Sequence, residues 1–213
     1  MHTPPHFEET RNSELHRIID QYSLGTLVVN GPDGLDANHL PFELDPDTGD
    51  HGHLVAHVAR ANPLWKEAKD GDEVLVIFRA ADSYISPNWY PSKHEFHRQV
   101  PTWNYQVVHV HGRIKIRDDE KFVRGVVARL TRKHEARAEE TKPWKMTDST
   151  REYIDSMLAA IVGIEIEITK IVGKSKLSQN REARDRVNAA GELHRRNEQA
   201  LANAMLNAAV KNT

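Results

Sequence analysis

Between Leu24 and Ala80 the chain breaks into runs of seven or eight residues, LGTLVVN, ANHLPFEL, HLVAHVA and EVLVIFRA, rich in β-branched and aromatic residues and bounded by Gly, Pro or Asp. Runs this short and this closely punctuated read as strands, not helices. The turn GPDG (31–34) and the loop DPDTGDHG (45–52) turn the chain back on itself, so the pattern predicts an antiparallel meander. EVLVIFRA is too apolar for a half-exposed strand and is expected at the centre of a barrel.

Two further strands are expected, QVVHVHGRIKI (106–116) and the strictly alternating VGIEIEITKIV (162–172). Around them lie helical patterns. Leu15, Ile18, Ile19 and Tyr22 recur at helical spacing behind Asn12 or Ser13 as a cap, and NPLWKEAKD (62–70) carries Pro63 in its first turn. DDEKFVRGVVARLTRKHEA (118–136) opens with acids and closes with Arg132, Lys133 and His134, as the helix dipole favours. TDSTREYIDSMLAAI (147–161) and one long C-terminal helix from Ser178 to Val210 complete the set. The class is α+β with a mainly β core, divided into a domain over 1–172 and a helical extension over 173–213 packed on the barrel or on a dimer partner.

Several chemistries are excluded. The chain has no cysteine, which removes disulfides, thiolate nucleophiles and zinc fingers, and fits a reducing cytoplasm. VGKS (172–175) resembles the end of a phosphate loop, but Ile168 stands where that loop needs its first glycine, and no G-x-G-x-x-G follows a strand. Ser86 and Ser92 lie in no nucleophile elbow. His109 and His111 share a strand face and His51, His53 and His57 are close in sequence, yet no H-E-x-x-H or carboxylate pattern accompanies them, so no metal is expected. Lys and Arg number 29 against 31 Asp and Glu, so a DNA contact would need a local basic surface. The N-terminal stretch has no apolar core of a signal peptide and no run is long enough to span a membrane, so a cytoplasmic protein is expected.

Three segments carry candidate ligand groups. VPTWNY (100–105) sets a proline, an indole, an amide and a phenol before a strand, able to line a flat heteroaromatic ring, as well as to pack a barrel mouth. HVARANP (57–63) brings Arg60 and Asn62 to a helix start, for an anion or as a simple cap by Asn62. KSKLSQNR (174–181) places Lys174, Lys176 and Arg181 around Ser178, for an anion or with Ser178 as N-cap of the last helix.

Taken in order, HLPF (39–42), HVARANP (57–63), YISPNWY (84–90), VPTWNYQVVHVHG (100–112) and GKSKLSQN (173–180) resemble the PaiB family of FMN-binding negative transcriptional regulators. The resemblance implies a six-stranded antiparallel FMN-binding split barrel, working as a homodimer with flavin at the subunit interface. It implies that His57 and Asn62 hold ribityl and phosphate groups, with Arg60 adding charge and His39 reaching in from a neighbouring strand. Trp103, Asn104 and Tyr105 would close over the isoalloxazine, with Lys176, Ser178 and Gln179 nearby. The chain departs from the related oxidases in lacking their Arg-x-x-x-x-Lys pattern, reading Asp36 to Pro41 there.

Regulation is the function the resemblance implies, with RKHEAR (132–137) or the helix after Arg181 as the candidate DNA surface. The alternatives are an FMN-dependent reductase using a nicotinamide cofactor and a haem-binding protein with His109, His111 or His194 as axial ligand.

Overall fold

In the computed structural model, which describes the backbone of residues 1–210 and the side chains of 1–208, the chain forms eight strands and seven α-helices. The strands are β1 (Glu8–Glu9), β2 (Leu24–Gly31), β3 (Gly34–Pro41), β4 (Glu43–Asp45), β5 (His53–Ala59), β6 (Glu73–Ile85), β7 (Thr102–Arg117) and β8 (Ile161–Lys176). The helices are α1 (Asn12–Gln21), α2 (Leu64–Glu67), α3 (Pro91–Phe96), α4 (Glu120–Arg137), α5 (Arg151–Ala159), α6 (Ala183–Arg195) and α7 (Gln199–Val210). No helix among the described residues is long and apolar enough to cross a membrane.

The sheet path is β3-β2-β6-β7-β8-β5-β4, with β1 added to β8. Eight strands replace the expected six because the chain adds two short edge pieces, β1 on β8 and β4 on β5. β2 and β3 form the expected hairpin: Gly31 pairs with Gly34 across Pro32 and Asp33, and Gly34 sits at φ +105°, open to glycine at no steric cost.

The chain folds as two compact units. The first is Met1–Ile18, Arg79–Val108 and Val172–Thr213; the second is Ile19–Phe78 and His109–Ile171. In the second unit β3 and β5, far apart along the path, come within contact distance, as in a sheet curled into a barrel. Leu27, Phe42, Leu54, Val76, Phe78, Val110, Ile114, Ile164 and Ile166 are all buried there. Val126 and Leu130 of α4 cover Val55 of β5, and Val123 of α4 packs with Ile154 and Leu158 of α5. Asp119 caps α4 through Phe122 N–H at 2.8 Å, which is why the acidic opening predicts that helix start correctly.

The first unit has its own core of Ile85, Tyr90, Leu177, Ala189, Leu193, Leu201 and Met205. The single long C-terminal helix is two helices, because Asn197 takes a left-handed φ of 62° between α6 and α7 and ends the helical run. Ser178 caps neither: it lies in the turn after β8, and α6 begins at Ala183 behind Glu182. The expected helix over 62–70 shrinks to the four residues of α2. Residues 173–176 continue β8, so the sequence boundary at 172/173 falls inside a strand.

β6, β7 and β8 each supply residues to both units. In β6 the buried positions run Val74, Val76, Phe78 and Ala80, then switch phase to Ser83 and Ile85. In β8 they run Val162, Ile164, Ile166 and Ile168, then switch to Gly173 and Ser175. A strand keeps alternate side chains on opposite faces, so a change of phase marks a local irregularity that re-aims the side chains beyond it.

Where β7 meets β8 in the second unit, a Cβ on Gly112 would lie 2.5 Å from the Glu167 carbonyl oxygen. Gly112→Ala is expected to destabilise the protein by about 2 kcal/mol, a fall of about 4–8 °C in Tm by calorimetry. An unchanged Tm would mean that the two strands separate freely at this point.

Candidate functional site

In the first unit the period of β7 turns Asn104 and Gln106 inward and Trp103 and Tyr105 outward. Trp103 is 54% exposed and meets the exposed Tyr84 ring edge-to-face at 6.3 Å. The Lys176 ammonium donates to the Trp103 carbonyl at 2.8 Å and to Thr102 Oγ1. Burial pushes the Lys176 ammonium below its usual pKa; Tyr105 pulls it back up, and the neighbouring Lys174 and Arg181 charges push it down further. Lys174 Nζ stands 5.4 Å from the Tyr105 ring centre.

Behind this surface the expected ligand groups Asn104 and Ser178 are closed in. Asn104 Nδ2 donates to Ser178 Oγ at 2.9 Å and faces Met205 Sδ at 3.4 Å, while its Oδ1 has no partner. Tyr90 Oη is 3.1 Å from Ser178 Oγ. Gln179 closes the turn, accepting from Leu177 N–H at 2.7 Å and donating to the Ser175 carbonyl at 2.5 Å. In this arrangement Asn104, Ser178 and Gln179 hold the chain end together, and Trp103, Tyr105 and Lys176 are the members of the expected set that reach the surface.

In the second unit His39 is exposed on β3 opposite Thr26. His57 lies on β5 opposite Gly163, with a buried Nδ1 that has no partner. Asn62 accepts from Leu64 N–H at 2.9 Å across Pro63, which is itself the N-cap of α2, and donates to Asn38 Oδ1 at 2.7 Å. Arg60 is engaged: its guanidinium meets Asp118 at 2.6 and 3.0 Å and the Ala159 carbonyl at 2.7 Å. Its charge is already matched, so it does not stand free for a phosphate as the resemblance implies.

Sequence reasoning missed the buried pair of Ser92 and Asp185. Ser92 donates through its N–H at 3.0 Å and its hydroxyl at 2.6 Å to the Asp185 carboxylate, and Gln99 donates to the same hydroxyl at 2.7 Å. Nothing in the local sequence couples positions 93 residues apart. His109 and His111 both lie on β7, and no group of three or more His, Asp or Glu among the described residues is placed to hold a metal.

Residues 1–170 match the family model described as "Putative FMN-binding domain". The chain belongs to this family. This FMN-binding chain is 31% identical to "Protease synthase and sporulation protein PAI 2" of Bacillus subtilis over 193 residues, 91% of this chain and 89% of that one. It is 34% identical over 160 residues to the Saccharomyces cerevisiae protein YKL070W, covering 66% and 94% of the two chains. The PaiB resemblance therefore holds over nearly the full length. Solved structures share the fold: the FAD and haem binding protein of Mycobacterium smegmatis aligns at TM-score 0.56 with 19% identity, over 79% of this chain and 73% of that one. The flavocytochrome Anf3 of Azotobacter vinelandii aligns at 0.53 with 14% identity, over 82% and 72%. The expected split-barrel class is thus the observed one.

The residues present fit FMN. In the first unit Trp103 and Tyr84 leave aromatic surface exposed to a flat ring, and Lys176 beside Trp103 offers a cation.

His57 sets a pH dependence. Burial pushes its imidazole below the ordinary value, and His109 is displaced the same way, first by burial and also by His111. Between that lowered value and about 6.5 the unfolded chain binds more protons than the folded one, so stability is full above about pH 6.5 and falls as the pH drops through this window. His57→Gln should flatten the decline in urea midpoint between about pH 7.5 and about pH 5.5. An unaltered slope would show that His57 takes up its proton in the folded state without cost.

Proposed function

We propose that the protein carries FMN as a resident cofactor and acts, as a cytoplasmic homodimer, as a regulator of the PaiB kind. The observation that carries the cofactor assignment is the exposed Trp103–Tyr84 pair, with Lys176 fixed on the Trp103 carbonyl. Trp103, Tyr105 and Lys176 in the first unit are the residues proposed to hold it. When bound, FMN supplies reversible hydride and electron transfer; the protein supplies binding and orientation. Trp103 offers a rigid apolar surface, and Lys176 a cation for the electron-rich edge of the ring or for an anionic group. The regulatory role takes its support from the name of the Bacillus relative.

One observation favours a second function, an FMN-dependent oxidoreductase. Several cations of the helices expected to face DNA are engaged: Lys133 meets Asp20 at 2.5 Å and Arg137 meets the same carboxylate. On α6, Arg184 meets Glu95 at 2.6 Å and Glu182 at 2.7 Å, and Arg195 meets Glu192 at 2.5 Å. Cations already matched by carboxylates release fewer counterions from a duplex.

Titration with FMN, followed by quenching of flavin fluorescence, is expected to give one flavin per subunit, with Trp103→Ala weakening binding about ten-fold. Equal affinity in the variant would remove Trp103 from the site. With flavin bound, salt-sensitive retardation of DNA supports the regulator, and oxidation of NADH or NADPH without DNA binding supports the oxidoreductase.

A further inference from the structure

Within the first unit, several cations are matched by acids: Arg11 with Glu9, Arg79 with Asp82, Arg184 with Glu95 and Glu182, Arg195 with Glu192. The end of β8 and the turn after it bring together three cations that are not. Lys174 and Lys176 point to one face of the strand, two residues apart, and Arg181 follows in the turn. Among the described residues no carboxylate stands within 4.0 Å of any of the three. Glu8 is the residue opposite Lys174 in the strand pairing, yet the Lys174 ammonium turns to the His2 carbonyl at 3.0 Å. Lys176 finds only the Trp103 carbonyl and the Thr102 hydroxyl, and Arg181 lies 5.7 Å from the Tyr90 ring centre.

Three like charges held near one another, one of them partly buried, raise each other's energy unless an anion joins them. The scaffold nevertheless fixes them. Gln179 clamps the turn from both sides, Ser178 takes a left-handed φ of 63°, and the Tyr90–Ser178–Asn104 hydrogen bonds tie that turn to β7. A non-glycine residue held left-handed indicates a turn whose shape the surroundings impose. The neutral partners of Lys176 leave its full positive charge uncompensated, and the Tyr105 ring beside Lys174 adds an apolar wall with a hydroxyl.

We propose that Lys174, Lys176 and Arg181 form a binding site for a phosphate dianion or phosphomonoester. Two lysine ammoniums and a guanidinium supply charge-assisted donors to its oxygens. The phosphate comes either from the flavin itself, in which case the proposal deepens the FMN assignment, or from a separate phosphorylated molecule that binds beside it.

The test uses the full chain and four proteins: wild type, Lys174→Gln, Arg181→Gln and, as a control for net charge, Arg184→Gln. Inorganic phosphate is titrated calorimetrically at low salt, and FMN and riboflavin are titrated by fluorescence. Thermal melts of each protein confirm that it is folded. The expected result is that wild type binds phosphate, that each site variant weakens it about ten-fold, and that Arg184→Gln does not. If FMN binds more tightly than riboflavin and loses that advantage in the site variants, the flavin supplies the phosphate. If FMN and riboflavin bind equally and phosphate still binds, a separate ligand supplies it. If neither flavin binds while phosphate binding follows the variants, the anion site stands and the flavin assignment falls. Absence of phosphate binding in wild type, or the same loss in Arg184→Gln as in the site variants, overturns the proposal.

Discussion

Three long strands, β6, β7 and β8, must each serve two compact units, and the rest of the structure depends on how they meet that demand. A strand has one face for one core, so a strand shared by two cores either keeps its phase or resets it. β7 keeps its phase, with Asn104, Gln106, Val108, Val110, Gly112 and Ile114 all buried. β6 and β8 reset theirs between Ala80 and Ser83 and between Ile168 and Gly173. The reset delivers Ile85 and Leu177 to the core of the first unit together with Tyr90 and the α6 and α7 residues. The unbroken phase of β7 keeps Trp103, Tyr105, His109 and His111 on the other face from Asn104 and Gln106, so the candidate ligand residues follow from the alternation itself.

The same alternation brings polar groups inside the first unit. Asn104 and Gln106 are inward positions of β7 that an apolar core would fill with Val or Leu, and they are matched by Ser178 and Ser175 at 2.9 and 3.0 Å. Buried amides without partners are costly, so these serines are required where they are. Ser92 and Asp185 do for α3 and α6 what Asn104 and Ser178 do for β7 and the turn after β8. The hydroxyl of Ser92 resembles an activated nucleophile only superficially, since it donates to a buried carboxylate with no histidine between them.

The strands were legible because short runs with turn residues between them have few other solutions: the hairpin at Gly31–Gly34, the alternation from Val162 to Ile168 and the acid-capped start of α4 are all local signals. What failed locally was the break at Asn197, where the amphipathic pattern runs on from α6 into α7 and only backbone conformation ends the helix. At the site, VPTWNY and KSKLSQNR identified groups that meet, Lys176 with Trp103 and Ser178 with Asn104, but not which of them face out. Burial under Met205, 101 residues from Asn104, is a tertiary fact without a local pattern. The pairing of Arg60 with Asp118 has no local pattern either, since the two lie 58 positions apart.

Net charge gives little guidance to what such a protein binds; pairing does. With 29 basic and 31 acidic side chains the chain has almost no net charge, and cations such as Lys133 and Arg184 lie against carboxylates that cancel them locally. A duplex needs several cations spread along a surface to neutralise successive phosphates. Cations gathered at one turn, as Lys174, Lys176 and Arg181 are, suit a single phosphate group. Being near Trp103 and Tyr105, they also suit a ligand that joins a flat ring to that phosphate. On the proposed reading, ligand selection rests with the uncompensated charges gathered beside a turn held left-handed at Ser178, while cations already matched by carboxylates contribute less.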